Sequence, residues 1–316
     1  MSARPGPPDD GRVRTVFLGS GAFAVPSLQR LAAHPLVRLV AVVTAVPKRA
    51  GRNQAWTMTP LDAFARAANL HPILTPPRLR HPDSIAAILA LRPELAVLTD
   101  FGQIVPPALL DLPHGALNLH PSALPRFRGA APVPAAILAG DPSTAVTLMR
   151  MDPGLDTGPI VAQVQVPLSG EETAPELEAR LARVAADLLD RSIGPWLAGE
   201  LPAAPQPAEG AILTRPLRRE DGRLDPSRPA AELERAVRAY QPWPGTFLEL
   251  PEGRLVVTAA SVAASAPGDA PGTIVREGRT PALATDDGRL VLDQVTPQGR
   301  RPMSGEDWLR GRRDAG

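Results

Sequence analysis

A chain of 316 residues, 44% of them hydrophobic, is long enough for one large domain or two ordinary ones with ample core. The lack of cysteine excludes disulfides, thiolate metal sites and a cysteine nucleophile; with no apolar signal core and no run of the roughly 18 apolar residues of a membrane span, the cytoplasm is the expected location. A formal charge of +1 does not announce a nucleic-acid binder, yet it leaves room for a local basic face, and Lys48 is the one lysine among 34 basic residues.

In chain order, residues 13–18 form a β-rich run that ends in Gly19-Ser20-Gly21 and leads into a helical pattern over 26–33. Residues 36–44 are apolar too continuously for a half-exposed strand, as in a buried parallel one. Helical periods follow at 61–69 and 84–91, the second capped by Asp83 or Ser84, and short strands at 95–99 and 116–119. Strands alternating with helices imply βαβ units in a parallel sheet. Two further strands, 145–149 and 160–166, then flank a turn-rich segment at 152–158, and a helical period covers 171–189. Residues 197–209 are rich in Pro, Ala and Gly and lack periodicity, as a linker between domains would. After it come a helix over 229–240 and strands at 246–250, 254–262, 273–275, 282–285 and 290–295, the pattern of a small β-barrel.

Four short stretches carry chemistry. Gly19-Ser20-Gly21-Ala22-Phe23-Ala24 fits the G-x-G-x-x-A dinucleotide fingerprint, but Val42-Val43-Thr44 stands where an acid for the ribose hydroxyl is needed. It reads better as a tight first turn that admits another ligand, or as a structural turn alone. In Ala116-Leu117-Asn118-Leu119-His120-Pro121-Ser122, Asn118 and His120 stand two apart on a strand and so share one face. They lie at the carboxyl end of a parallel strand, where open α/β sheets build their sites. A histidine exchanges a proton near neutral pH, and an asparagine amide can donate to a developing oxyanion. Next, prolines 125, 132 and 134 with Gly129 fix an irregular backbone, either a binding loop or a surface crossover. Lastly, Gly154-Leu155-Asp156-Thr157-Gly158 can hold Asp156 at a turn tip, to orient His120 and take up a proton. An Asx turn bonding its own backbone explains Asp152 better than Asp156.

Asn118-Leu119-His120-Pro121-Ser122, Leu124-Pro125 with Arg128-Gly129-Ala130-Ala131-Pro132, and Leu155-Asp156-Thr157-Gly158 closely resemble the methionyl-tRNA formyltransferase family. Phe17-Leu18-Gly19-Ser20-Gly21 with Phe23, Phe101-Gly102-Gln103-Ile104-Val105-Pro106, and Arg238-Ala239 with Pro242-Trp243-Pro244-Gly245 are similar to it as well. The resemblance spans nearly the whole chain apart from a tail at 1–11, expected to be disordered. It implies an α/β fold class: a Rossmann-like formyltransferase domain with a mostly parallel sheet at 12–198, a linker at 199–212 and an OB-like β-barrel that helps hold tRNA at 213–316. It implies Asn118, His120 and Asp156 as the catalytic set. Ser122, Ala123, Leu124 and Pro125 would line the folate site, with Phe101, Gly102, Gln103 and Ile104 as more of its wall. Lys48, Arg49 and Arg52, on the loop after the second strand, would meet tRNA phosphates.

The reaction so implied moves a formyl group from 10-formyltetrahydrofolate, a co-substrate, to the amino group of initiator methionyl-tRNA for translation initiation, without a metal. Three positions depart from the family pattern: Asn53 and Gln54 replace frequent lysines, and Pro226 replaces a frequent tryptophan. The main alternative is a sugar-nucleotide N-formyltransferase with the same donor. Formyltetrahydrofolate hydrolase or dehydrogenase modules and purinyl ribonucleotide formyltransferases fit the length or the second domain less well. A non-catalytic RNA- or dinucleotide-binding protein would leave Asn118, His120 and Asp156 unexplained.

Overall fold

The apolar runs of the first half become strands with little exposure on either face, as a parallel sheet covered by helices requires. In chain order these elements are β1 (Val13–Gly19), α1 (Ala24–Ala33), β2 (Val37–Val43), β3 (Lys48–Ala50), β4 (Ala55–Thr57), α2 (Pro60–Ala67), β5 (Ile73–Leu74), α3 (Pro82–Leu89), β6 (Leu95–Thr99), α4 (Pro107–Leu110) and β7 (Ala116–His120). They continue with β8 (Arg128–Gly129), α5 (Pro132–Ala139), β9 (Ser143–Arg150), β10 (Ile160–Pro167) and α6 (Ala174–Leu197). The last third holds β11 (Leu213–Thr214), α7 (Ala230–Ala239), β12 (Thr246–Leu250), β13 (Gly253–Ala263), β14 (Ile274–Glu277), β15 (Thr280–Ala284), β16 (Arg289–Pro297), β17 (Met303–Ser304) and α8 (Gly305–Arg310). The computed structural model describes residues 10–50 and 55–311; the expected tail at 1–11 lies largely outside them.

The main sheet has the order β10-β9-β7-β6-β1-β2-β5. β1 pairs in parallel with both β2 and β6, β6 with β7 and β2 with β5, while β9 runs antiparallel to β7. The sheet is therefore mostly parallel and Rossmann-like. The chain builds outward from β1 on one side and then returns to build on the other. That reversal opens a crevice at the carboxyl ends of β1 and β6. Val16, Leu18, Ala41, Val43, Ala96, Leu98 and Ala116 form one apolar face of this sheet, packed with Leu79, Ile88 and Leu109 from the covering segments.

Prolines start helices here. A proline occupies the first turn of α2, α3, α4 and α5, where its missing N–H would have had no helical partner. This explains why α3 starts at Pro82, earlier than the apolar period indicates. Its cap is neither Asp83 nor Ser84 but His81, whose Nδ1 accepts the Asp83 N–H at 3.4 Å.

The chain folds into two compact units: one of the described residues up to 128, with 145–166 and 178–212, the other of 129–144, 167–177 and the described residues from 213. In the second unit the strands run in the order β12-β13-β16-β15-β14, with β17 on β16, and each pairing is antiparallel. Leu233 and Val237 of α7 pack on Leu255, Val257, Leu283, Leu290, Leu292 and Val295 of this small β domain. α5 belongs here too, and its Leu138 carbonyl accepts Arg235 Nε of α7 at 3.0 Å.

One ion-pair cluster makes this unit sensitive to acid. Arg289 donates through Nε and Nη2 to the two oxygens of Asp269, at 2.7 and 2.8 Å, and through Nη1 to Glu277 at 2.7 Å. The Arg289 hydrogen bonds, helped by the Ala266 N–H, hold the Asp269 carboxyl down at about 2 from its usual 3.8. A depressed carboxylate stabilises the fold above its unfolded pKa and stops doing so as pH falls through its folded one. The melting-temperature gap between wild type and Asp269→Asn is therefore expected to be constant above about pH 5 and to close as pH falls from 3.8 to about 2. Thermal unfolding across that range reads it.

Candidate active site

β7 carries Ala116 into the core, and the pleat places Asn118 and His120 on the same side further along. Asn118 lies in register between Leu98 of β6 and Met149 of β9, and His120 opposite Thr147. Both stand at the carboxyl end of the sheet, one strand from the crevice. Asn118 is half-buried, and no hydrogen bond engages its carboxamide among the described residues. It is an amide left available to a ligand.

His120 is hydrogen-bonded at one ring nitrogen and faces a carboxylate at the other. Its Nε2 lies 2.9 Å from the carbonyl oxygen of Phe127. A carbonyl can only accept, so Nε2 carries the hydrogen. The other nitrogen, Nδ1, faces Asp156 Oδ2 at 3.7 Å, with side-chain exposures of 7% and 14% for the pair. That spacing is an ion-pair distance rather than a hydrogen bond, so an imidazolium Nδ1–H there can donate to a third atom while Asp156 balances its charge. The Phe127 carbonyl is aimed by its own loop. Ser122 Oγ donates to the Arg126 carbonyl at 2.7 Å, and Thr147 Oγ1 to the Ser122 carbonyl at 2.7 Å. Gln163 Nε2 donates to Thr147 Oγ1 at 2.7 Å and to the Leu124 carbonyl at 3.3 Å.

The turn after β9 gives its two aspartates different contacts. Asp152 Oδ1 accepts the Gly154 N–H at 3.0 Å and the Thr157 hydroxyl at 2.7 Å, closing the turn. Asp156 instead faces His120. It takes a left-handed φ of +52°, as do Phe127 at +59° and Asp100 at +51°. Non-glycine residues adopt this region rarely, and such conformations gather where a site demands them. Gly158 has no alternative, since a Cβ there would overlap the Arg150 carbonyl.

The segment 199–212 is not the free tether its composition suggests. Ile160 and Ala204 exchange backbone hydrogen bonds of 2.7 and 2.8 Å, and the Arg128 N–H reaches the Ile212 carbonyl at 2.8 Å. Gln206 donates to the carbonyls of Asp156 and Gly158 at 2.8 and 2.7 Å. The strap therefore belongs to the first unit and borders the Asp156 turn. Gln206, the Phe127 carbonyl and Gln163 escape sequence reasoning; only Thr147, a lone hydroxyl in a buried strand, leaves a visible signal.

The residues expected to line a folate site divide into scaffold and surface. Ser122 and Leu124 are buried, and the Ser122 hydroxyl is spent on its own loop. Gln103 clasps the preceding segment, accepting the Leu79 N–H at 2.7 Å and donating to the Pro76 carbonyl at 3.1 Å. Phe101 packs against the core. Ala123 and Pro125 are half-buried, Gly102 is exposed and Ile104 is 64% exposed, so these four are the ones a ligand can reach. The glycine turn carries its own anion. The Gly21 N–H donates to the side chain of Asp100, whose carboxyl burial pushes above its usual range despite that hydrogen bond. A pyrophosphate at this turn would meet a carboxylate.

The expected tRNA loop is a ribbon in its described part, with β3 and β4 antiparallel and Arg49 opposite Trp56. Lys48 and Arg49 are exposed, and the Arg49 guanidinium lies 5.7 Å from the centroid of the 70% exposed Trp56 ring. Arg52, Asn53 and Gln54 lie outside the described residues.

Residues 13–193 match the formyl transferase family, and residues 216–313 its C-terminal domain. The methionyl-tRNA formyltransferase of Halorhodospira halophila is 43% identical over 303 residues, covering 95% of this chain and 96% of that one. That of a Roseiflexus species is 41% identical over 306 residues, covering 96% and 94%. An N-formyltransferase from Helicobacter canadensis, solved with folinic acid and dTDP-3-aminofucose, shares the fold with a TM-score of 0.63 at 17% identity, over 89% of this chain and 98% of that one.

Proposed function

The chain belongs to the formyl transferase family, among its methionyl-tRNA formyltransferases, and from that premise we propose that it transfers a formyl group from 10-formyltetrahydrofolate to the amino group of initiator methionyl-tRNA. The observation that carries the acceptor is identity above 40% over nearly the full length of such relatives, both units included. Asn118, His120 and Asp156 are the groups assigned to the chemistry. The neutral amine attacks the formyl carbon, a carbon–nitrogen bond forms, and the carbonyl electrons collect on oxygen. The Asn118 amide and the His120 Nδ1–H donate to that oxyanion. Asp156 balances the imidazolium and takes up the amine proton, directly or through a water. The oxyanion then re-forms the carbonyl as the bond to the folate nitrogen breaks, and that nitrogen receives the proton Asp156 had taken up and leaves as tetrahydrofolate.

Ala123, Pro125, Gly102 and Ile104 are the residues we assign to the donor's walls, with Ser122, Leu124, Phe101 and Gln103 supporting them. Lys48 and Arg49 are assigned to acceptor phosphates, together with Arg52 shortly after them in sequence. No helix among the described residues is long and apolar enough to cross a membrane, and an initiator-tRNA acceptor supports the cytoplasm as the compartment.

The deciding assay supplies 10-formyltetrahydrofolate with methionyl-tRNA in one arm and an amino-sugar nucleotide in the other. Formylation of the sugar alone sinks the acceptor assignment. The double variant Lys48→Ala, Arg49→Ala is expected to raise KM for tRNA and to flatten its dependence on log salt by about 1 for each phosphate no longer neutralised. A KM series from 50 to 200 mM salt, roughly the range over which such charge pairing is read, checks this.

A further inference from the structure

We propose that Gln206 is a positioning residue: one carboxamide that ties the Asp156 turn to the loop holding His120 and so fixes the spacing of that pair. Its Nε2 donates both hydrogens, to the Asp156 carbonyl at 2.8 Å and the Gly158 carbonyl at 2.7 Å. Its Oε1 accepts both Nε and Nη2 of Arg128, at 3.0 and 2.8 Å. Two donors and two acceptor sites are thus matched by one side chain, a pattern only an amide can supply.

The two things it joins are the two sides of the imidazole. Asp156 faces His120 Nδ1. Arg128 directly follows Phe127, whose carbonyl takes Nε2–H. Both Asp156 and Phe127 sit at left-handed φ, so neither conformation is one the isolated backbone prefers. The Ile160–Ala204 bridge and the Arg128–Ile212 hydrogen bond fix the strap on either side of Gln206, so its carboxamide arrives from an anchored backbone. The 3.7 Å separation of Nδ1 and Oδ2 has little tolerance, because displacements near 1 Å at a reacting site cost on the order of 100-fold in rate.

This inference rests on the assignment of His120 and Asp156 to the reaction, and its test separates the two. Q206L removes both links; Q206E keeps an acceptor for Arg128, strengthened by charge, but turns oxygen toward two carbonyl oxygens. Both variants are expected to lower kcat roughly 10- to 100-fold with KM for donor and tRNA within about 3-fold. Q206E, with its gained ion pair, serves should Q206L unfold. The double variants with D156N discriminate further, because residues acting through one ion pair are not additive. Q206E is expected to change kcat less than about 3-fold once Asp156 is already Asn. A kcat within about 3-fold of wild type for Q206E alone, or its full factor reappearing on D156N, overturns the proposal. A D156N enzyme of ordinary activity instead overturns the active-site assignment beneath it.

Discussion

Turnover of Asp156→Asn is expected to fall by roughly 100- to 10,000-fold, with KM for donor and acceptor changed little. The substitution is nearly isosteric, and the carbonyls of Asp156 and Gly158 remain in place for Gln206. What goes is a negative charge 3.7 Å from His120 Nδ1 and the acceptor for a proton. On the proposed mechanism an imidazolium there then lacks its counter-charge and the attacking amine its base. The effect belongs to the step after binding, so it falls on kcat. Initial rates of formyl-methionyl-tRNA formation at saturating substrates measure it. A loss of only a few-fold removes Asp156 from the chemistry.

Asn118→Ala comes second, with an expected loss of roughly 100- to 1000-fold in kcat, equivalent to about 3–4 kcal/mol of transition-state stabilisation. Asn118 lies between Leu98 and Met149 in the sheet, so the strand stays put when the carboxamide is cut back. Its amide forms no hydrogen bond among the described residues, and truncation therefore leaves no native partner stranded. Asn118→Asp retains the shape but aims a carboxylate at the developing oxyanion, and should be at least as damaging. Rates that return to near wild type in either variant would place the oxyanion elsewhere.

What could be read in advance follows from which groups carry a signature in sequence. Asn118 and His120 were legible because a strand has period two and places them on one face. Asp156 was visible as a carboxylate in a turn, but spacing alone does not set it apart from Asp152, since each has a glycine two residues on; the structure shows Asp152 accepting the Gly154 N–H. The Phe127 carbonyl that holds Nε2 was not, since every residue has a carbonyl and nothing in the sequence says which one is aimed. Gln206 was hidden for a related reason. It sits among prolines and alanines without period, and its worth comes from the two carbonyls and the guanidinium brought to it by other parts of the chain. At the glycine turn the sequence lacks the acid that a ribose hydroxyl needs, and Asp100, from a distant strand end, takes the N–H a phosphate would use.

For the fold, the parallel strands were visible as unbroken apolar runs, and the small β domain as short strands between turns. Helix starts were blurred where proline moved them, as at Pro82. The end of α6 was missed as well. Beyond residue 189 the period fades, yet the helix continues through Pro195, and Trp196 Nε1 donates to the His114 carbonyl at 3.1 Å.

The division into units bears on how the chain can be cut. The chain passes from one unit to the other five times, at 128, 144, 166, 177 and 212. Residues 213–316 taken alone would lack 129–144 and 167–177 of their own unit. The same interleaving sets a rule for dissection: no single cut yields both units whole.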